Sequence, residues 1–552
     1  MNNFNIVLED GRTVLAEEGT ILNDIIKDNG LLNDVPVVLC AINNRLYELG
    51  SIISEEGNLK TVGISSKIGM MTYVRTLQFV LIKAISELFP SEKVTIEHSL
   101  SKGLFGEIHK IPALDIDDIY EIKSRMTEII KSDIPIRKIT LSKEKAVEIF
   151  TSYNMQDKVK LLKHVTAEEI KLYELDGRFD YFYGPMAYST GVLKIFDLMY
   201  YEPGFILRYP TTSSPDRIPK FVEQKTLAKV FREAEQWGEI LGIGDVGSLN
   251  DEVLNGDIIN LIRVAEALHE KKIAYIADMV HKQGKVKLVL IAGPSSSGKT
   301  TFSKRLGIQL RVNGLTPLFI SLDDYFVNRE DTPRDELGEY DFESIYALDL
   351  ELFNKDLELL FQGKEIEIPS FNFLTGKREW HGNRIKMPEN GVVVVEGIHG
   401  LNEALTSSIA AESKFKIYIS PLTQLNLDDH NRISTTDVRM IRRIVRDYLS
   451  RGYGVEDTLK MWPSIKRGEE KNIFVFQEQA DVMFNSHVVY ELCVLKKFAL
   501  AELNKIGLES PVYYEATRLR SFLNFFKEID KQLVPDNSIL REFTGGSCFY
   551  KY

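Results

Sequence analysis

The chain has 552 residues, 44% of them apolar and 27% charged, and carries a formal net charge of −12. That length exceeds what one hydrophobic core supports and predicts three or four folded units of ordinary soluble composition. The acidic balance excludes a surface that attracts nucleic acid everywhere, so any RNA or nucleotide site must be a local basic patch.

The start, MNNFNIVLEDGR, lacks the basic and then apolar pattern of a secretory signal. No apolar run approaches the roughly 20 residues needed to span a bilayer, so no membrane partner is expected. Cys40, Cys493 and Cys548 lie far apart, in no metal-ligand spacing, and read as reduced thiols of a cytoplasmic protein. Repeats and low-complexity tracts are absent.

Two apolar runs, 4–8 and 12–16, flank Asp10-Gly11 and predict a hairpin. Thr20 is placed to cap a helix reaching about Asn29. Strand-like runs at 35–42 and 45–50 complete a small α+β module over 1–63. Residues 64–210 mix helices and strands, with a buried helix face at 77–89, an amphipathic helix from Asp117 to Lys131, and an aromatic, turn-rich stretch from Asp176 to Tyr209. TTSSPDRIP opens a segment, 211–285, whose long helical patterns predict a connector.

From 286 the pattern changes. Continuous apolar runs at 286–292, 318–322, 392–397, 415–420 and 480–486 alternate with helical stretches. Such runs predict a parallel sheet with helices on both faces over 286–497. A mostly helical tail, 498–552, ends in GGSCFYKY.

After the first of these runs stand Gly293-Pro-Ser295-Ser296-Ser297-Gly298-Lys299-Thr300, followed by Thr301 and a helical pattern. This is G-x-x-x-x-G-K-[ST] between a strand and a helix, the setting a phosphate-binding P-loop requires. Glycines let backbone N–H groups approach phosphate oxygens, the helix N-terminus favours the anion, and Lys299 reaches the β- and γ-phosphates. The Thr300 hydroxyl is a ligand for Mg²⁺, so ATP and Mg²⁺ are expected.

The second run ends in Asp323-Asp324-Tyr325, beside the P-loop in a parallel sheet. A carboxylate there can take the proton of an attacking hydroxyl; Asp323 is the first choice and Asp324 the second. The third run ends in Glu396, an acid placed to hold Mg²⁺. Arg439, Arg442, Arg443 and Arg446 recur at helical spacing, and Arg451 follows. Clustered guanidinium groups repel unless anions sit among them, which predicts a lid over the transferring phosphoryl group. His399 follows Glu396 closely, but a structural place suits it better, and the nine histidines form no metal pattern.

These residues resemble the uridine kinase / phosphoribulokinase family over about 286–490. The resemblance makes Asp323, within SLDDYF, the catalytic base, with Tyr325 beside the acceptor. YDFES at 340–344 resembles the segment whose acid holds ribose hydroxyls, here Glu343. PSFNF at 369–373 resembles the stretch whose aromatics contact a base, here Phe371 and Phe373. Glu396 matches the Mg²⁺ acid, and RRIVRDYLSRG resembles the lid, with Arg443, Arg446 and Arg451 in place. Two positions depart from the pattern. Gly376 stands where a histidine reads uracil, and Tyr453 replaces a further lid arginine.

The N-terminal part resembles other proteins. Residues 1–63 look like a TGS β-grasp domain, and 64–210 like the editing domain of threonyl-tRNA synthetase. Arg75, Phe79, Phe182 and Met186 fall where that domain's His and Cys metal ligands belong, so hydrolytic editing is not expected. A regulatory or RNA-contacting role remains for this half.

The resemblance thus implies a multidomain α/β and α+β chain that phosphorylates a nucleoside with MgATP. Two alternatives are a sugar or sugar-phosphate kinase and an ATP-sensing regulator that binds RNA or ribosomes. The oligomeric state stays open, a homo-oligomer included.

Overall fold

A computed structural model describes residues 3–32, 35–336, 338–423 and 425–550; the final two residues of the tail lie outside them.

In the first 63 residues, Asn3–Val7 pairs antiparallel with Thr13–Glu17 and parallel with Gly57–Gly63, which continues to Val37–Ile42 and Arg45–Glu48. The hairpin connection turns at Gly11, whose φ of 85° suits glycine. The helix Leu22–Asp28 lays Leu22, Ile25 and Ile26 on this sheet, against Ile6, Leu8 and Cys40. Thr20 is not its cap. The helix begins after Ile21, which offers no side-chain bond, and the Thr20 carbonyl instead accepts from the Ile53 N–H.

The next unit packs the long helix Lys67–Leu88 against a four-stranded antiparallel sheet (Lys93–Leu100, Gly103–His109, Asp197–Tyr201, Gly204–Arg208) and the helix Ile116–Lys131. Lys67–Leu88 is long and apolar enough to cross a membrane by length and composition, contrary to the expectation that no stretch is. Here 78% of its apolar window is buried inside the fold. Phe79, Phe182 and Met186 lie in this core, with the two rings 5.1 Å apart, and Arg75 donates to the Pro185 carbonyl. These three apolar side chains are thus used for packing.

Helices Lys225–Leu241, Val246–Asn255 and Ile258–Gln283 lead into the C-terminal sheet. Its strands are β1 (Leu288–Ala292), β2 (Thr316–Ser321), β3 (Gly391–Glu396), β4 (Lys414–Ser420) and β5 (Val482–Asn485), all parallel in the order β2-β3-β1-β4-β5. Side chains alternate between two cores. Leu288, Leu290, Val393 and Val395 enter one, while Val289, Ile291, Val394 and Ile417 enter the other. Continuous apolar strands are what a sheet covered on both faces demands. The order reverses around β1, which opens a crevice at the carboxyl ends of β1 and β3 where ligands of open α/β sheets bind.

A buried polar knot ties the halves together. Lys158 lies 3.0 Å from Asp180 and 2.8 Å from Asp428, and His430 Nδ1 is 2.7 Å from Asp180. Burial pushes the Asp180 carboxyl up, and Lys158 with His430 more than reverses it.

Candidate active site

The P-loop leaves β1 at Gly293 and enters the helix Lys299–Val312 through Gly298. Gly298 has φ 87°, and a Cβ there would lie 2.5 Å from Ile539 Cγ2, so the turn is strained for other residues. Ser296 also adopts positive φ, at 61°. The Ser296 and Ser297 hydroxyls are buried without hydrogen-bond partners among the described residues. Orphaned donors beside a helix N-terminus fit a phosphate-bearing ligand. Lys299 is folded back, its Nζ donating to the Gly293 carbonyl at 3.0 Å and to that of Pro294 at 3.2 Å. Burial lowers its pKa, and the carboxylates of Glu396, Asp323 and Glu542 counter that.

Thr300 Oγ1 and Ser321 Oγ each donate to Glu396 Oε1, both at 3.3 Å, so the ends of β1, β2 and β3 meet at one carboxylate. Burial, with the nearby charge of Asp323, raises Glu396 to about 7. No group of three or more His, Cys, Asp or Glu side chains among the described residues could hold a metal by itself. A hydroxyl and a carboxylate within 3.3 Å fit Mg²⁺, which takes few protein oxygens and completes its shell with phosphates and water.

Asp323 and Asp324 sit on a 3₁₀ turn at the end of β2. Burial raises Asp324 to about 6, and its Oδ1 accepts the Phe371 N–H at 3.3 Å. That bond commits Asp324 to positioning the aromatic strand, while the charge of Asp323 bears on Lys299 and Glu396. Tyr325 requires a correction. Its ring is fully buried against Phe353 and its hydroxyl donates to Asp356 at 3.0 Å, so its side chain belongs to the core and does not reach an acceptor.

Glu343 is half-buried against Gly468 and near Arg443. Burial, with Glu469 nearby, raises it to about 7. Phe371 and Phe373 pack edge to face, 5.2 Å between centroids, and Phe326 joins them. Phe373 remains 46% exposed, open to a stacking partner. Gly376 has φ 70°, and a Cβ there would lie 2.8 Å from the Arg329 side chain. Arg329, which the sequence did not single out, donates to the Phe373 carbonyl at 2.7 Å.

The arginine helix spans Thr435–Arg446 and continues as a π-helical turn, Asp447–Arg451. Its arginines divide into two groups. Arg439 donates to the Ser295 carbonyl at 2.9 Å and pairs with Glu469. Arg442 is fully buried, paired with Glu491 and bonded to the Ser486 carbonyl at 2.8 Å. These two hold the loop. Arg443 donates to Ser295 Oγ at 2.8 Å, and Arg446 reaches the same oxygen at 3.5 Å. Arg443, Arg446 and Arg451 surround the buried Asp447 at 3.0, 4.0 and 3.7 Å. Burial, with Arg451 and Arg443 beside it, lowers Arg446 to about 10, and its Nε has no hydrogen-bond partner among the described residues. Glu542 Oε1 also faces Arg446 at 3.9 Å, and two carboxylates among three guanidinium groups leave positive charge for an anion.

The division predicts different failures. Arg442→Ala leaves Glu491 buried beside His487 alone and should destabilise the fold by about 3–5 kcal/mol. Chemical denaturation of the full chain checks it; a shift under about 1 kcal/mol would contradict a structural role.

Two further acids belong to this neighbourhood and escaped the sequence reading. Glu469 accepts the Ser295 N–H at 2.9 Å, and Glu542, from the tail, accepts the Thr301 N–H at 3.1 Å. Each lies far from the P-loop in sequence and in no motif, so only tertiary structure brings them there.

Known proteins resemble two regions of this chain. Residues 288–492 match the Phosphoribulokinase / Uridine kinase family. This region, which carries the P-loop, Asp323, Glu396 and the arginine helix, is thus similar to phosphoribulokinases and uridine kinases. Among solved structures, one named "Possible Uridine Kinase" from Bacillus stearothermophilus is 19% identical, covering 38% of this chain and 97% of that one, at a TM-score of 0.24. D-glycerate 3-kinase from Cryptococcus neoformans var. grubii is 13% identical, covering 46% and 87%, at a TM-score of 0.21. The N-terminal region is similar to threonine–tRNA ligases. That of Syntrophotalea carbinolica is 28% identical over 197 residues, 35% of this chain and 31% of the ligase. That of Carboxydothermus hydrogenoformans is 29% identical over 163 residues, 29% and 26%. The chain spans about a third or less of the length of the ligases it matches.

Proposed function

We propose that this chain transfers the γ-phosphate of ATP to the 5′-hydroxyl of a uridine- or cytidine-like nucleoside, giving the nucleoside monophosphate. The observation that carries the proposal is the grouping of Lys299, the Thr300–Glu396 pair and Asp323 at the ends of three strands, with Arg443 and Arg446 on Ser295 of the same loop and Arg451 joined to them through Asp447. Loop amides and Lys299 bind the nucleotide phosphates. Mg²⁺, when bound, neutralises phosphate charge, and Thr300 with Glu396 would hold it. Asp323 accepts the proton of the acceptor hydroxyl as its oxygen bonds to the γ-phosphorus and the bond to the β-phosphate oxygen breaks. Lid arginines stabilise charge on the moving group. Positioning and electrostatics supply most of the rate.

Glu343 would accept hydrogen bonds from the ribose hydroxyls, and Phe371 with Phe373 would stack on the base. The departure at Gly376 supports a second reading. Arg329 fills the space beside it, and a guanidinium in an acceptor pocket also suits a sugar phosphate.

A pH profile tests the role of Glu343. Its carboxyl is raised to about 7, and only the ionised form is a full acceptor. At saturating MgATP, kcat/KM for uridine should rise as pH passes through 7 and level off above it. Glu343→Gln should lose more activity at pH 8 than at pH 6, and should lose the preference for uridine over 2′-deoxyuridine. A variant with the wild-type profile and preference would remove Glu343 from the acceptor site.

Residues 1–63 and 64–210 are proposed as TGS-like and synthetase-like domains with a regulatory or RNA-contacting role, and 211–285 as a connector between them and the kinase. A cytoplasmic setting is supported by the free, buried thiols of Cys40 and Cys493.

A further inference from the structure

The C-terminal tail returns to the P-loop. Ile539, Leu540 and Phe543 are buried in the core shared with β1 and the P-loop helix, and the Arg442 guanidinium lies 4.9 Å from the Phe543 ring centre. This packing delivers Glu542 to the first turn of the P-loop helix. There Glu542 Oε2 accepts from both the Thr301 N–H and the Thr301 hydroxyl, each at 3.1 Å. Tyr550 OH lies 2.6 Å from the same hydroxyl. The other carboxylate oxygen, Oε1, faces Arg446 at 3.9 Å. Glu542 is 5% exposed, and Thr301 is fully buried.

A phosphate entering a P-loop needs the backbone donors of the loop and first helical turn, and here also the lid arginine. Glu542 holds one of each. Its charge also bears on Lys299 and Glu396. We propose that Glu542 sets the nucleotide affinity of this site: its carboxylate occupies phosphate-binding donors and must yield them when ATP binds. The inference rests on the P-loop binding a nucleotide.

An acid held by packing cannot leave as freely as a counter-ion. Its negative charge opposes an incoming phosphate within a few ångströms, in a poorly screened interior. Glutamine keeps the shape and can still accept from Thr301, so Glu542→Gln removes the charge with little change in packing. MgATP should therefore bind Glu542→Gln about tenfold or more tighter than the wild-type chain.

Calorimetric titration of the full chain with MgATP tests this, using wild type, Glu542→Gln and Lys299→Ala. Tighter binding by Glu542→Gln supports the proposal. Equal or weaker binding overturns it, provided Lys299→Ala has lost affinity. A Lys299→Ala chain that binds as well as wild type would instead overturn the P-loop reading itself. Hydrogen exchange on the wild-type chain serves if Glu542→Gln fails to fold. Saturating MgATP should speed exchange in residues 541–550, and unchanged protection there would overturn the displacement of Glu542.

Discussion

Asp323→Asn should lower kcat by about 10²–10⁴-fold while MgATP binding stays intact. The position of Asp323 sets this expectation. It stands on the turn after β2, and its charge bears on Lys299 and on the Glu396 carboxylate on which Thr300 and Ser321 converge. Asparagine preserves its volume but cannot accept a proton. Asp324→Asn should behave differently, because that carboxyl serves the Phe371 N–H. Its loss should act on KM for the acceptor more than on kcat. Single-turnover phosphoryl transfer, with MgATP affinity measured separately, separates the two. Full activity in Asp323→Asn would remove it as the base, and a kcat loss confined to Asp324→Asn would transfer the role.

Arg446→Ala carries the other large effect, a loss of about 10³-fold or more in kcat. Arg446 is buried, has an unpartnered Nε, and reaches Ser295 Oγ on the loop. Arg443, Arg446 and Arg451 share Asp447, and Glu542 is a second acid facing Arg446, so the three guanidinium groups still exceed their two carboxylates until an anion arrives. The charge on a transferring phosphoryl group is spread over its equatorial oxygens, which a guanidinium fork matches. Lysine at 446 should therefore restore little. Steady-state kinetics together with denaturation midpoints check this. A kcat loss accompanied by unfolding would indicate packing, whereas a tenfold or smaller loss in a stable variant would take Arg446 out of the reaction.

The parts of this site legible in sequence are those where chemistry is local. Gly293 to Thr300 must be contiguous because one turn makes the phosphate cradle, and the apolar runs before Asp323 and Glu396 mark parallel strands whose ends converge. What stayed hidden depends on contacts between distant segments. Four arginines at helical spacing read alike, yet Glu469 and Glu491 recruit Arg439 and Arg442 for structure and leave Arg443 and Arg446 on Ser295 of the loop. Tyr325 sits one residue past two acids at a strand end, and only the helix carrying Asp356 turns it inward. Glu542 lies in a tail with no periodicity or motif, delivered by the burial of Ile539, Leu540 and Phe543. Thr20 shows the limit at the smallest scale. A good capping residue was present, but the pairing of Ile21 with Ile52 fixed the helix start one residue later.

The most direct measurement is transfer of label from γ-labelled ATP to uridine, cytidine and a panel of sugars and sugar phosphates, with Lys299→Ala as the blank. Labelled nucleoside 5′-monophosphate, formed by the wild-type chain and absent from the blank, is the predicted result. Transfer to none of these alcohols by a chain that still binds ATP would contradict the kinase.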